Sequence, residues 1–288
     1  MKLSAEIIAD FNDSDIEKAV SEINLKSKEL SHRTWYELAL SCIDLTTLNS
    51  TDTFEQGEKI ATKVSLFSEN YPDLPNVAAI CVYPALVESV KKSLITPGVK
   101  LASVSGGFPS SQTFLDVKVL ETMMAVANGA DEIDIVLNLG AFLSQDYKSV
   151  LNEISTLKGA CDQAHLKVIL ETGALKSYSN IWQGSLLAME GGADFIKTST
   201  GKLDPAATPE AAWVMCCAIK AYFDKTNHKI GFKAAGGIAE PADALVYIAI
   251  VKEVLGDEWL NSKLFRIGAS RLANNLISVL TGNREIYF

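Results

Sequence analysis

From residue 41 onward the hydrophobic and polar positions repeat one theme: a short β-branched run, a loop carrying Gly, Pro, Ser or Thr, then a stretch with helical spacing. Eight such runs occur, at Cys42–Thr46, Ala78–Tyr83, Lys100–Val104, Glu132–Leu137, Lys167–Glu171, Phe195–Ser199, Lys229–Lys233 and Leu264–Gly268. Helical patterns fall between them, including Thr113–Asn128, Tyr147–Asp162, Pro209–Phe223 and Glu240–Leu255. Strand and helix in strict alternation require right-handed crossovers and a parallel sheet. Eight repeats in about 240 residues fit the size of a closed α/β architecture, the (β/α)8 TIM barrel. A doubly wound open sheet is the alternative, but no Gly-x-Gly-x-x-Gly run follows the first strand.

Residues 1–40 precede the first run and carry Ile7, Ile8, Phe11, Ile16, Ala19, Val20, Ile23 and Leu25 at helical intervals. They read as an N-terminal helical extension packed on the barrel, either closing its bottom or covering a groove between helices. A separate module is the alternative, although so short a segment cannot hold a core alone. No low-complexity or Pro-rich linker interrupts residues 41–288, which are expected to form one catalytic domain.

Side chains alternate faces along a strand, so each run divides by parity. One set is apolar: Ile43 and Leu45, Ile80 and Val82, Ile133 and Ile135, Val168 and Leu170, Ile230 and Phe232, Phe265 and Ile267. This set is expected under the helices. The other carries Asp44 and Thr46, Cys81 and Tyr83, Glu132 and Asp134, Lys167 and Glu171, Lys197 and Ser199, Lys233, and Arg266, and is expected inside the barrel. Barrel interiors are normally filled with branched aliphatics, so an interior with four acids facing four bases is unusual. A salt-bridge network that only fixes the barrel is one explanation, but buried ion pairs stabilise poorly compared with apolar packing, which favours a function for them.

Composition narrows the function. The net charge of −9 disfavours nonspecific binding to nucleic acid or to an acidic membrane, so an anionic substrate must meet a local positive patch. No apolar run approaches the roughly 20 residues of a membrane span, and the N-terminus lacks a signal-peptide core, so a cytoplasmic enzyme is expected. Five scattered cysteines, Cys42, Cys81, Cys161, Cys216 and Cys217, suit neither a disulfide framework nor a zinc cage and read as reduced thiols. The three histidines, His32, His165 and His228, lack metal-site spacing. Catalysis without a metal is therefore expected.

Lys197 lies in Ala193-Asp194-Phe195-Ile196-Lys197-Thr198-Ser199-Thr200-Gly201-Lys202, at a strand position where an apolar or small residue is usual. A lysine at a strand end can simply snorkel to solvent. Strands six and seven are neighbours about 4.8 Å apart, however, which brings Lys197 and Lys233 together. A lysine beside another cation loses its proton more easily and becomes a nucleophile toward carbonyls. At an ordinary pKa near 10.4 about one lysine in 2,500 is neutral at pH 7; a shift of about three units, costing about 4 kcal/mol, makes a large fraction reactive. Asp134 is the candidate carboxylate for shuttling protons through a water. Glycines follow strands six, seven and eight at Gly201, Gly236-Gly237 and Gly268, ahead of Ser270 where the last helix begins. Barrel enzymes commonly grip phosphate there with backbone amides and a helix N-terminus, and Lys202 adds charge. Each glycine alone is also compatible with a plain turn.

At this point the chain resembles the 2-deoxyribose-5-phosphate aldolases, class I aldolases on a (β/α)8 barrel. The resemblance runs from about Asp44 to Ser270. It rests on Asp-Leu-Thr-Thr-Leu at 44–48, Ala-Ala-Ile-Cys-Val-Tyr-Pro at 78–84, Gly-Ala-Asp-Glu-Ile-Asp at 129–134 and Leu-Lys-Val-Ile-Leu-Glu-Thr-Gly at 166–173. Gly-Ala-Asp-Phe-Ile-Lys-Thr-Ser-Thr-Gly-Lys at 192–202, Gly-Phe-Lys-Ala-Ala-Gly-Gly at 231–237 and Phe-Arg-Ile-Gly-Ala-Ser at 265–270 complete it. It implies that Lys197 forms a Schiff base, that Lys233 lowers its pKa and relays protons, and that Asp134 gives and takes protons through water. It implies a substrate-binding set of Asp44, Thr46, Cys81, Lys167, Thr172, Gly201, Lys202, Gly236, Gly237, Gly268 and Ser270, with Cys81 also readable as core filler. The implied partners are a small phosphorylated sugar and acetaldehyde, without nucleic acid or membrane; the resemblance implies no metal or organic cofactor, and a homodimer is a family-level expectation. The chain departs from the family at Ala234, where proline is common, at Arg271, where serine is common, and at its end, where Tyr287 is penultimate and Phe288 last. Other sugar-phosphate aldolases and transaldolases use the same lysine chemistry, and a non-catalytic sugar-phosphate binder would keep the same pocket.

Overall fold

The computed structural model describes residues 3–9 and 11–288; Met1, Lys2 and Asp10, which fall in the N-terminal extension, lie outside the described residues. Eight strands, β1 (Ile43–Thr46), β2 (Ala79–Val82), β3 (Lys100–Ser105), β4 (Glu132–Val136), β5 (His165–Ile169), β6 (Phe195–Lys197), β7 (Gly231–Ala235) and β8 (Phe265–Ala269), pair in sequence order, all parallel. β8 returns to β1 through Ile43 opposite Ile267, which closes the barrel. The helices are α1 (Leu3–Glu6), α2 (Asp13–Glu29), α3 (Arg33–Ser41), α4 (Phe54–Ser65), α5 (Phe67–Asn70), α6 (Val87–Ser93) and α7 (Leu115–Ala127). They continue with α8 (Leu139–Leu143), α9 (Tyr147–Ala160), α10 (Thr172–Leu175), α11 (Tyr178–Glu190), α12 (Pro209–Thr226), α13 (Pro241–Val254) and α14 (Arg271–Thr281). The TIM barrel expected from the alternation is borne out.

Local chemistry sets the boundaries. α4 begins in a reciprocal capping box: the Thr53 hydroxyl accepts from the Gln56 N–H, and the Gln56 side chain accepts from the Thr53 N–H. α12 starts on Thr208 with Pro209 in its first turn and stops at Asn227, whose φ of 57° cannot continue a right-handed helix. Between strands and helices lies the apolar core, which contains every residue assigned outward by parity, from Ile43 and Leu45 round to Phe265 and Ile267. Several strands begin or end two residues from the expected positions, β5 and β7 among them, but a shift of two preserves parity.

The extension takes the helix groove. α2 buries Ile16, Val20 and Ile23 against α12 and α13, and α3 lies against α13 and α14. Phe11 sits edge-on between the rings of Trp182 and Trp213, at 5.3 and 5.2 Å, while the Trp182 indole donates to the Ile7 carbonyl. Two expected packing residues are corrected. Leu25 is exposed because it lies two positions, or about 200°, from Ile23 on the same helix, and Ile8 is exposed in the irregular segment between α1 and α2.

Inside the barrel the ionic parity set is present with one exception. Glu171 lies beyond the end of β5 with φ 54°, a left-handed conformation that breaks the strand alternation. Its carboxylate instead accepts from the Thr200 amide at 3.1 Å and the Thr200 hydroxyl at 2.5 Å, tying the β5 and β6 loops together. The interior therefore holds three acids and four bases, and the expected balance of four against four is corrected.

Candidate active site

The strand register assembles the charges. Lys197 lies opposite Lys233, Lys233 opposite Arg266, and Asp134 opposite Lys167. Lys167 reaches Glu132 at 2.6 Å, Asp134 at 2.9 Å and Asp44 at 3.5 Å. Lys233 reaches Asp44 at 2.5 Å and Asp134 at 2.8 Å. Arg266 bridges Asp44 and Glu132 at 2.6 and 2.8 Å, lies over the Phe195 ring, and donates through Nε to the Ser262 carbonyl. Among the described residues Lys197 has a single carboxylate partner, Asp134, at 2.9 Å, and it shares that Oδ2 atom with Lys233. Small residues make the room: a Cβ on Gly268 would stand 3.1 Å from Lys233 Cε, and one on Gly231 would stand 2.3 Å from the Phe195 ring.

These partners decide which lysine gives up its proton. Burial pushes all three amines down, because a low-dielectric interior disfavours charge. For Lys167 and Lys233 the surrounding carboxylates more than reverse that push, and both end above the ordinary lysine value. For Lys197 burial is again the largest influence, and although Asp134 opposes it, repulsion from Lys233 reinforces it and the amine is held below 10.5. Desolvation thus leads and the neighbouring ammonium assists, whereas the sequence put the neighbour first. Asp134, buried among three lysines, is held well below the usual carboxylate range, and Asp44 and Glu132 are also lowered.

Lys197, 3% exposed, forms the floor of a cavity of about 440 Å³ at the C-terminal mouth of the barrel. Its walls come from the loops after β1, β6, β7 and β8 and include Thr46, Gly201, Lys202, Gly236, Gly237, Gly268 and Ser270. Gly201, Gly236 and Gly237 line the cavity with φ of 76°, 92° and 79°, a left-handed conformation that glycine adopts without strain, and at Gly236 a Cβ would also stand 2.6 Å from Ala206. Lys202 donates to the Leu48 carbonyl across the mouth, and Arg271, exposed at the start of α14, completes the basic rim.

The remaining expected residues are elsewhere. Asp44, Lys167, Asp134 and Lys233 lie beneath the cavity as the ionic floor rather than on its walls. Thr172 lines a second cavity with Pro205 and Thr208, its amide donating to the Thr198 carbonyl and its hydroxyl to the Ala206 carbonyl, so the structure does not bring its side chain to Lys197. Cys81 is fully buried in a small apolar cluster with Leu48, Ala102 and Val104, flanked by Tyr83 and Phe108, and burial pushes its thiol up. The Tyr287 hydroxyl donates to the Lys63 carbonyl on α4, and it is Phe288 that lines the cavity. Asn274 holds that end by accepting from the Tyr287 and Phe288 amides and donating to the Phe288 carbonyl.

Sequence reasoning missed Thr47, Leu48 and Asn49, cavity residues in the loop after β1, which their place at the C-terminal end of a barrel strand would have flagged. It also missed Lys118, wholly buried on α7 and paired with Glu153 of α9 at 2.6 Å; its bond to Ser111 fixes the loop that carries Phe108.

A buried lysine of lowered pKa, beside a second lysine and under a cavity with a basic rim, defines a barrel suited to amine-dependent carbonyl chemistry. The chain belongs to the DeoC/LacD family of aldolases, whose model matches residues 38–255. It is 43% identical over 263 residues to deoxyribose-phosphate aldolases of Bos taurus and Homo sapiens, covering 88% of this chain and 81% of each of those. Among solved structures it is similar to the deoxyribose phosphate aldolase from Aeropyrum pernix, described as a unique tetrameric structure. The two are 26% identical over 90% of this chain and 97% of that one, with a TM-score of 0.67. It is similar also to an aldolase called QR15, at 29% identity and TM-score 0.68 over 84% of this chain and 96% of that one.

Proposed function

We propose that this aldolase reversibly cleaves 2-deoxy-D-ribose 5-phosphate to D-glyceraldehyde 3-phosphate and acetaldehyde through a Schiff base on Lys197. The observation that carries the proposal is the single carboxylate contact of Lys197, set against two or three for each neighbouring lysine, at the floor of the mouth cavity. The neutral amine adds to the aldehyde of the open-chain sugar, and loss of water leaves an iminium. Removal of the C3 hydroxyl proton breaks the C2–C3 bond; its electrons enter the iminium to give an enamine, and C3 leaves as the new aldehyde. Protonation of the enamine at C2 and hydrolysis release acetaldehyde and restore the amine.

Asp134 Oδ2 contacts both Lys197 and Lys233, so a proton lost by one ammonium has a path to the other through one oxygen, with water completing the path to substrate. Lys233 stays charged and supplies the positive field. The phosphate is held by the backbone amides at Gly201 and Gly236–Gly237, by the start of α14 at Ser270, and by Lys202.

Borohydride reduction in the presence of acetaldehyde, followed by peptide mass spectrometry, is the test. A two-carbon adduct on Lys197, absent from a folded Lys197→Ala variant that also lacks cleavage activity, is the expected result. Absence of the adduct from the intact protein, or turnover retained in the variant, rejects the proposal.

We also propose self-association as a homodimer. The outer face of α7 exposes Phe114, Val117, Leu120, Met123 and Met124, interrupted by one charge at Asp116. At about 100 Å² each, these would bury roughly 1,000 Å² in a symmetric pair, the lower bound of a stable interface. Light scattering of the intact protein and of Leu120→Glu tests it, a monomer in both rejecting it.

A further inference from the structure

Glu171, the acid that leaves the interior set, is buried, and among the described residues its carboxylate meets no lysine or arginine. A buried carboxylate held by neutral donors alone is costly. Both of its oxygens are spent on one residue of the turn after β6, Oε1 on the Thr200 amide at 3.1 Å and Oε2 on the Thr200 hydroxyl at 2.5 Å. The backbone on either side of Glu171 is pinned to β6 and its end. The Leu170 amide donates to the Lys197 carbonyl at 2.8 Å, and the Thr172 amide donates to the Thr198 carbonyl at 3.0 Å. Glu171 itself stands at φ 54° and ψ 61°, a conformation that residues other than glycine seldom adopt and that persists where surrounding contacts impose it.

What the carboxylate braces is a wall of the mouth cavity, because Thr200, Gly201 and Lys202 all line it together with Lys197. A carboxylate that accepts obliges the Thr200 hydroxyl to donate, which leaves the hydroxyl oxygen free to accept from the Lys202 amide at 3.0 Å. The amides before and after Gly201 are thereby occupied, while the Gly201 amide has no acceptor among the described residues. The β7 turn rests on the same glycine: a Cβ on Gly236 would stand 3.2 Å from Gly201 Cα. One carboxylate thus sets the shape of a three-residue turn that gives the cavity wall a free amide and a lysine, two groups suited to an anion.

We propose that Glu171 is a positioning residue for the phosphate of the substrate, acting through Thr200 on the turn that holds Gly201 and Lys202. The inference rests on the phosphorylated-sugar function proposed above and adds to it the group that keeps the phosphate turn in shape. A glutamine at 171 offers one acceptor where two donors must be met, and alanine offers none.

The test compares cleavage of 2-deoxyribose 5-phosphate with cleavage of unphosphorylated 2-deoxyribose. In Glu171→Ala the ratio of the two kcat/KM values is expected to fall about tenfold, through a higher KM for the phosphorylated sugar with kcat within about twofold of the parent. Glu171→Gln, which keeps the volume and one acceptor, is expected to lower the ratio about threefold. In a Thr200→Val background Glu171→Ala is expected to cost less than about twofold more, since both changes act on one turn. Titration of the intact protein with inorganic phosphate reads the same turn without turnover, and a roughly tenfold weaker affinity is expected in Glu171→Ala. An unchanged ratio in both variants overturns the proposal, as does an equal loss on the two sugars, which indicates a structural role, or full additivity with Thr200→Val. Weaker phosphate binding in Glu171→Ala from a parent that neither cleaves the sugar nor forms an acetaldehyde adduct upholds the brace and overturns the Schiff-base function instead.

Discussion

Along β1 and β4–β8 the barrel interior carries Asp44, Glu132, Asp134, Lys167, Lys197, Lys233 and Arg266, whereas along β2 and β3 it carries Cys81, Ala102 and Val104, covered by Leu48. Asp134 stands at the seam, with Val104 as its β3 neighbour and Lys167 as its β5 neighbour. The contrast explains how one lysine in a dense ionic web can be reactive. The charged side fixes Lys167 and Lys233 as cations by surrounding them with carboxylates. The apolar side offers Lys197 no carboxylate, only the buried Cys81 thiol, so burial weighs on Lys197, the amine with least compensation. Such a web is a poor source of stability compared with apolar packing, and its retention fits a chemical role.

Removing a hub of the charged side gives the largest expected effect. Lys167→Met leaves Asp44, Glu132 and Asp134 short of a cation and is expected to destabilise the fold by about 3–5 kcal/mol in urea unfolding, as for a broken buried pair. A loss below about 1 kcal/mol would show that the web relaxes and that the two sides are less distinct than drawn.

Lys233→Met comes next. It removes the repulsion that helps hold Lys197 down, so the midpoint of adduct formation against pH is expected to rise, with roughly a tenfold lower trapping rate at neutral pH for each unit of rise. An unmoved midpoint would leave desolvation as the sole cause.

Acid titration probes the same side. Asp44, Glu132 and Asp134 all have folded pKa values below their ordinary ones, so the unfolded chain binds protons first as pH falls. Their contribution is fully present above the ordinary carboxylate range and is lost below it, as pH falls through the lowered folded values. Melting temperatures measured downward from pH 5 are expected to fall more steeply for the parent than for Asp44→Asn.

Cys81→Ala, on the apolar side, is expected to have the smallest effect: about 1 kcal/mol or less of stability and no shift in the trapping midpoint. A midpoint shift as large as that of Lys233→Met would make the apolar wall an equal partner in tuning Lys197.

Much of this was legible before any coordinates. Strand parity placed Lys197, Lys233, Asp134 and Arg266 inside because two-residue periodicity survives errors of two residues in a strand's ends, as at β5 and β7. It failed at Glu171, where a left-handed residue ends the alternation; on α2, Leu25 is exposed because it stands about 200° round the helix from the buried Ile23. The path of the chain end was equally hidden, since Tyr287 and Phe288 are placed by Asn274 and Lys63, far away in sequence.

The sequence by itself determined the strand and helix alternation, the closed barrel, the charged interior and the identity of the two neighbouring lysines, because each follows from local periodicity and strand order. Only the tertiary structure decided which lysine is the weaker base and that Thr172 belongs to a different cavity. Those outcomes depend on how many partners reach one atom across several strands, and distances between atoms remote along the chain are set only when the barrel closes.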